Sequence, residues 1–280
     1  MIDDQNPIYK TGRLTGLRPG ANVLNPETTM SGVYDLIDKA ARSAKVVVRD
    51  DQNEWNEILD AVKAARSRRR RINLLDTGRF SAVELEWLCE AGARFFTSDE
   101  VRRDAGDLRR IQEACARGGS AIAFLVTGPV DVPSLLELAR LKIILHISNR
   151  ERAVDPAALA ALAAEGRLVY YHHGPLAPEL AEAAGLGIRL HLSDGSLDAG
   201  DPEPALGILA ASRSGRGRVY VYVEKGLPPE FLRDIASAGA RLLFKTPPSD
   251  SQSRLRPIER RFAKTAPAPE DHYLDATFLI

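Results

Sequence analysis

Four of the five histidines fall near the ends of three successive β-rich runs. His146 lies in Lys142 to Ser148, His172 and His173 end Arg167 to His173, and His191 lies in Ile188 to Asp194. Neutral imidazoles joined by a carboxylate can hold a divalent ion such as Zn, Mn or Mg and use it to activate water. Without an ion, the same groups can work as general acid and base. Carboxylates stand at similar strand-end places: Asp76, Asp99, Asp194 and Glu224. Lys245 ends the last run, where an amine can anchor an anion or, if desolvated, form a Schiff base. The expected metal ligands are therefore His172, His173, His191 and Asp194. The expected acid, base or electrophilic groups are His146, His191, Glu224, Lys245 and Asp76.

These groups need elements that carry them to one place. Short β-rich runs begin at Lys45, Arg71, Arg94, Ala121, Lys142, Arg167, Ile188, Arg218 and Arg241. Helical segments lie between them, several opening on Asp, Ser or Pro and ending at Gly, as helix boundaries should. That alternation predicts βαβ units in a parallel sheet, with neighbouring strands joined by right-handed crossovers. A longer period overlies the short one. Gly78, Gly128, Gly174 and Gly226 each follow a run at once and recur roughly every 50 residues. Four two-strand units from Arg71 to Thr246 suit a (β/α)8 barrel of the TIM type, with Val46–Asp50 as an additional N-terminal βα element. The alternative is an open, doubly wound parallel sheet, although no GxGxxG fingerprint follows a strand. The division expected is 1–44 as an N-terminal extension and helix, 45–246 as the barrel, and 247–280 as a tail rich in Pro and Ser.

In such a barrel, chemistry belongs at the C-terminal ends of the strands. Successive strand side chains alternate between faces. His146, Ser148, Arg189, His191, Ser193, Tyr220, Tyr222 and Glu224 then point inward. On that parity His146, His191, Glu224 and Lys245 converge on one mouth, while the parity of His172 and His173 stays ambiguous. Most runs begin with Arg or Lys, which reads as a basic rim at the opposite end that supports solubility. Amidohydrolase and PHP-type phosphoesterase barrels carry an HxH pair at the end of their first strand. No HxH occurs here, and Val48-Arg49-Asp50 stands in its place, so the likeness stops at barrel architecture.

Composition narrows the function classes. The 280 residues carry 38 Lys+Arg against 38 Asp+Glu, with 44% apolar and 27% charged residues. That excludes a disordered chain, and the missing basic excess argues against a nucleic-acid partner. Cys89 and Cys115 sit in helical patterns and form no disulfide framework. The acidic N-terminus lacks a signal-peptide pattern, and no apolar run reaches the roughly 20 residues that span a bilayer. A cytoplasmic protein with no membrane partner is expected. The run Arg66 to Arg71 reads as a solvated helix C-terminus, and Trp55 and Trp87 read as core. The expected function is a hydrolase using a divalent metal on a small anionic substrate. Two alternatives are a metal-free lyase or aldolase using Lys245, and a catalytically degenerate barrel that acts as a binding module. A small-molecule substrate is the expected partner, and the composition is compatible with a homo-oligomer.

Overall fold

The computed structural model describes residues 33–42, 45–129, 131–149, 153–223 and 227–244. Helix α1 (Val33–Arg42) precedes strand β1 (Lys45–Arg49). There follow α2 (Trp55–Ser67), β2 (Arg71–Leu75), α3 (Ala82–Ala91), β3 (Arg94–Ser98), α4 (Ala105–Arg117) and β4 (Ile122–Leu125). Next come α5 (Val132–Arg140), β5 (Ile144–Ser148), α6 (Pro156–Glu165), β6 (Arg167–His172), α7 (Glu179–Gly185) and β7 (Arg189–Ser193). A 3-10 turn (Asp194–Ser196), α8 (Glu203–Ser214), β8 (Arg218–Val223), α9 (Pro229–Ser237) and β9 (Arg241–Phe244) complete the described chain. Glu224, Lys245, Gly226 and the residues of the 247–280 tail lie outside the described residues, as do 1–32.

Start and stop chemistry explains the helices. Ser81 caps α3 through a capping box with Glu84, and Gly92 ends it in the left-handed region at φ 117°. Asp104 and Asp155 accept from the first-turn amides of α4 and α6, which satisfies N–H groups that have no partner within the helix. The basic run before β2 behaves as expected of a helix end. Arg66 Nη1 donates to the carbonyls of Glu90 and Ala91 at the end of α3 (3.1 and 2.8 Å), and Arg70 Nη1 to Ala41 at the end of α1 (2.6 Å).

All nine strands are parallel and hydrogen-bond in chain order, β1 to β9. An order that never reverses has no switch point, so the sheet is singly wound. Right-handed crossovers then place every helix on one face. The packing agrees: one apolar cluster joins residues of all nine helices to Val46, Ile72, Phe95, Phe124, Leu145, Leu168, Leu190, Val219 and Leu242. The smaller clusters on the other face contain strand residues alone. Yet that face is buried too, with His146, Tyr171 and His191 each 1% exposed and Val169 2%. Among the described residues no helix layer covers them, and inner-face residues from β2 through β7 (Arg71, Phe96, Ala123, His146, Arg167 and Arg189) line one cavity, so the sheet curls over its own inner face. This is the TIM-barrel-like arrangement. The ladder records no pairing of β1 with β8 or β9 among the described residues.

The ninth strand expected at the N-terminus is present as β1, but the repeat has a different phase from the glycine count. One residue past each of β1, β3 and β5 stands Asp50, Asp99 or Asn149. Each of them holds the end of the next strand, so the units pair β1 with β2, β3 with β4 and β5 with β6.

Candidate anion-binding site

At the C-terminal ends of the strands, the polar residues are engaged with one another. Asp50 is completely buried. It accepts from the Thr77 amide (2.9 Å), the Thr77 hydroxyl (2.6 Å) and the Arg79 amide (3.2 Å). Asp99 repeats the arrangement with the Thr127 amide (2.8 Å), the Thr127 hydroxyl and the Gly128 amide (2.8 Å). Asn149 does the same in amide form, accepting from the His173 amide at 2.7 Å and donating to the His173 carbonyl at 3.0 Å. The glycine after each clamped position has a local reason. Gly78 and Gly174 adopt φ of 92° and 96°, which L side chains avoid. At Gly128 a Cβ would come within 3.1 Å of an Asp99 carboxylate oxygen.

Asp76 was expected as a catalytic carboxylate. In the structure it is engaged within the protein. Its side chain receives Arg102 on both oxygens (2.5 and 3.0 Å), the Thr97 hydroxyl (2.7 Å) and the Gly78 amide (3.0 Å). Burial pushes its carboxyl upward, while Arg102 and Thr97 pull against that. With its acceptor sites occupied, it pins the loop after β3 to the end of β2 and has no lone pair to spare for substrate.

The expected metal set also comes apart. His191 lies on the inner face, with Nδ1 2.9 Å from the Tyr222 hydroxyl. His172 shares the helix-facing side of β6 with Leu168 and Tyr170. Its ring meets the Asn149 amide (3.3 Å) and the Pro175 carbonyl (3.0 Å), and burial lowers its pKa below the usual imidazole value. His173 is held by Asn149 through its backbone. Asp194 occupies the position after β7 that corresponds to Asp50, Asp99 and Asn149. Two faces of a sheet cannot supply one coordination sphere. Among the described residues, no three His, Cys, Asp or Glu side chains gather to hold an ion. The residues present therefore do not fit the expected metal.

The inward parity expected for His146, Ser148, His191, Ser193, Tyr220 and Tyr222 holds. What it assembles is a layer of rings inside the sheet. His146 Nδ1 lies 3.0 Å from the Tyr171 hydroxyl. Tyr171 and Tyr220 flank His191 at 4.7 Å between centroids, and the Tyr220 ring is stacked on it. Burial pushes the Tyr222 phenol well above its ordinary value.

Beneath this layer lies a feature the sequence reading underused. Arg71, Arg94, Arg167, Arg189 and Arg218 begin five strands on the inward parity. They line two adjoining cavities at the N-terminal end of the sheet. One has a volume of about 230 Å³ and is lined by Arg167, Arg189, Arg216 and Arg218. The other, about 190 Å³, is lined by Arg71, Arg94, Arg167, Arg189 and His146. Arg71, Arg167 and Arg218 are exposed, whereas Arg94 and Arg189 are half-buried. Among the described residues, no carboxylate pairs with any of these five; the ion pairs all lie elsewhere. Burial, and then the like charges of Arg71, Arg167 and Arg189, press the Arg94 guanidinium below its usual pKa. Arg189 is lowered by burial, with Tyr220 opposing and Arg218 and Arg167 adding to the fall. Buried Arg94 Nη1 and both amide atoms of Asn73, its register partner on β2, have no hydrogen-bond partner among the described residues. The arginines were visible as strand-initial cations. The signal that places them inside is the parity already applied to the histidines, since Arg189 and His191 share a face.

Trp87 corrects a smaller expectation. It is 51% exposed and leans on Trp55 at 5.4 Å on the outer surface, outside the core.

No family model and no curated protein matches this chain. Solved structures resemble it at low identity. A Coccidioides immitis protein assigned as a fructose-1,6-biphosphate aldolase is 15% identical, over 85% of this chain and 86% of its own, with a TM-score of 0.32. A mandelate racemase/muconate lactonizing protein from Herpetosiphon aurantiacus is 12% identical over 75% and 56%, at 0.35. A D-psicose 3-epimerase from Clostridium cellulolyticum H10 is 9% identical over 82% and 77%, at 0.28. This similarity is one of alternating strands and helices. Among the described residues, no helix is long and apolar enough to cross a membrane.

Proposed function

We propose that this chain binds a small anionic molecule, of the phosphate or carboxylate class, among the arginines at the N-terminal end of its curled sheet. The observation that carries the reading is a set of six arginines, the five strand-initial ones and Arg216, around adjoining cavities, unpaired with carboxylates among the described residues. Like charges held together in partly buried surroundings raise the energy of the unbound protein, and an anion lowers it. Arginine is suited to this task because its planar fork of donors matches carboxylate and phosphate oxygens two at a time. His146 lines one of the cavities, and its Nδ1 lies within hydrogen-bond reach of the Tyr171 hydroxyl. A bound molecule with an exchangeable proton would therefore meet an acid–base group beside the arginines that hold it.

This reading keeps the small anionic substrate and moves its site to the other end of the strands. Hydrolysis through a bound metal has no donor set among the described residues to support it, and the Schiff-base route rests on Lys245, outside the described residues.

Isothermal titration calorimetry of the full chain with inorganic phosphate, pyrophosphate and citrate, against chloride at matched ionic strength, tests the reading. Saturable binding in wild type, weakened at least about tenfold in Arg94→Ala and Arg189→Ala, is expected, the loss of a charged hydrogen-bonding partner being worth that much. No saturable binding of any of the three anions overturns the reading.

A further inference from the structure

We infer that the ligand carries two anionic groups, one for each cavity, with Arg167 and Arg189 standing between them. This rests on the anion-binding reading above and specifies its ligand. The two cavities share Ile144, Arg167 and Arg189 and no other lining residue. Each has cations of its own. Arg216 and Arg218 belong to the larger cavity and Arg71 and Arg94 to the smaller.

A single phosphate or carboxylate placed in one cavity leaves the cations of the other unneutralised. A molecule with an anionic group at each end neutralises both sets and places its middle against the shared wall. That wall pairs apolar Ile144 with the two shared guanidinium groups. Ile144 and Arg167 are register partners on β5 and β6, and Arg189 and Arg218 are partners on β7 and β8. The two halves of the site are thus built on contiguous strands. The ligand class that follows is a small bisphosphate, or a phosphorylated acid, with a short linker. Its second group binds as an intramolecular event once the first is seated, so affinity should depend steeply on the linker's length.

The test is calorimetric titration of the full chain with inorganic phosphate and with a series of straight-chain alkane bisphosphonates of increasing length. Two phosphates per chain are expected, against one bisphosphonate. At least one bisphosphonate should bind about tenfold or more tightly than phosphate, with an optimum in chain length. Arg71→Ala and Arg218→Ala, altered on opposite sides of the shared wall, should each cut phosphate stoichiometry to one and abolish the bisphosphonate gain. Arg140→Ala removes an exposed pair with Glu165 on the outer surface and should change neither. One phosphate per chain, with no bisphosphonate exceeding it, overturns the two-site inference and leaves the anion site standing. Binding of neither phosphate nor any bisphosphonate removes both. A short single-stranded RNA that binds more tightly than every bisphosphonate, with Arg218→Ala weakening it, replaces the small ligand with a nucleic-acid partner.

Discussion

The two ends of the sheet both gather polar and charged residues and use them in opposite ways. At the C-terminal end Asp50, Asp76, Asp99 and Asn149 are each hydrogen-bonded within the protein. At the N-terminal end six arginines line two adjoining cavities. A buried charge that is fully hydrogen-bonded holds loops in place; a partly buried charge without a partner costs stability unless something outside the protein supplies one. The difference teaches that polarity at a strand end does not mark chemistry. Polarity left unmatched by the protein is the better guide, and on the anion-binding proposal it lies at the end opposite to the usual barrel mouth.

The comparison is easiest to break at Asp76. Arg102, with its side chain 11% exposed, pairs with a completely buried Asp76 carboxylate. Asp76→Ala should strand that cation and cost roughly 3 to 5 kcal/mol, lowering Tm by about 10 °C. Calorimetric unfolding checks it. A cost below about 1 kcal/mol would mean that the C-terminal end is not the structural one.

The opposite end should respond to ligand more than to mutation. An anion at about 100 times its Kd should stabilise the wild type by about 2.7 kcal/mol. Arg94→Ala and Arg189→Ala, binding at least about tenfold more weakly, should each lose about half of that shift or more while keeping nearly the wild-type Tm in its absence. If both variants unfold early without ligand, the arginines serve the fold and the contrast between the ends disappears.

Much of this was legible in the sequence. Period-two parity placed His146, His191, Tyr220 and Tyr222 inward, and the alternation of runs and helices gave nine parallel strands. The glycine repeat was real, but its phase was not legible, because the bonds that define it run from Asp50, Asp99 and Asn149 to residues far along the chain. The role of Asp76 was hidden for the same reason: its partner Arg102 belongs to the loop after the following strand. A carboxylate that will be saturated and one that will meet substrate look alike until their donors are located. Trp87 was misread because a helix presents aromatic residues to neighbouring side chains on its outer surface as well as to the core. The cluster of arginines was only partly legible, since parity placed Arg189 inward with His191 but was not carried through to Arg71, Arg94, Arg167 and Arg218.

A smaller effect sharpens the contrast at the C-terminal end. The His172 imidazole, held by Asn149 and the Pro175 carbonyl, has a folded pKa below the ordinary value of 6.5. The unfolded chain therefore takes up the proton first as pH falls. The stability that comes from keeping this ring neutral is complete above about pH 6.5 and is lost below it, at up to about 1.4 kcal/mol per pH unit. In His172→Gln this component should vanish, so its Tm should fall less than that of the wild type between pH 7.5 and pH 5.5. Parallel slopes for the two proteins would show that His172 does not carry this part of the acid sensitivity.

The smallest effect probes the arginines without ligand. Arg94→Met keeps a long apolar stem against Phe96 and Ala123, which line the same cavity, and removes one of several like charges. Its guanidinium is opposed by Arg71, Arg167 and Arg189 and by burial, so its loss should stabilise the ligand-free chain by up to about 1 kcal/mol at low salt. Near 1 M salt the Debye length shrinks to about 3 Å, and the gain should shrink with it. Destabilisation at low salt would mean that the charge is matched within the protein, which is the arrangement of the other end. A gain that fades with salt is what a cluster of cations awaiting an anion requires, because only repulsion among them is both long-ranged and screened.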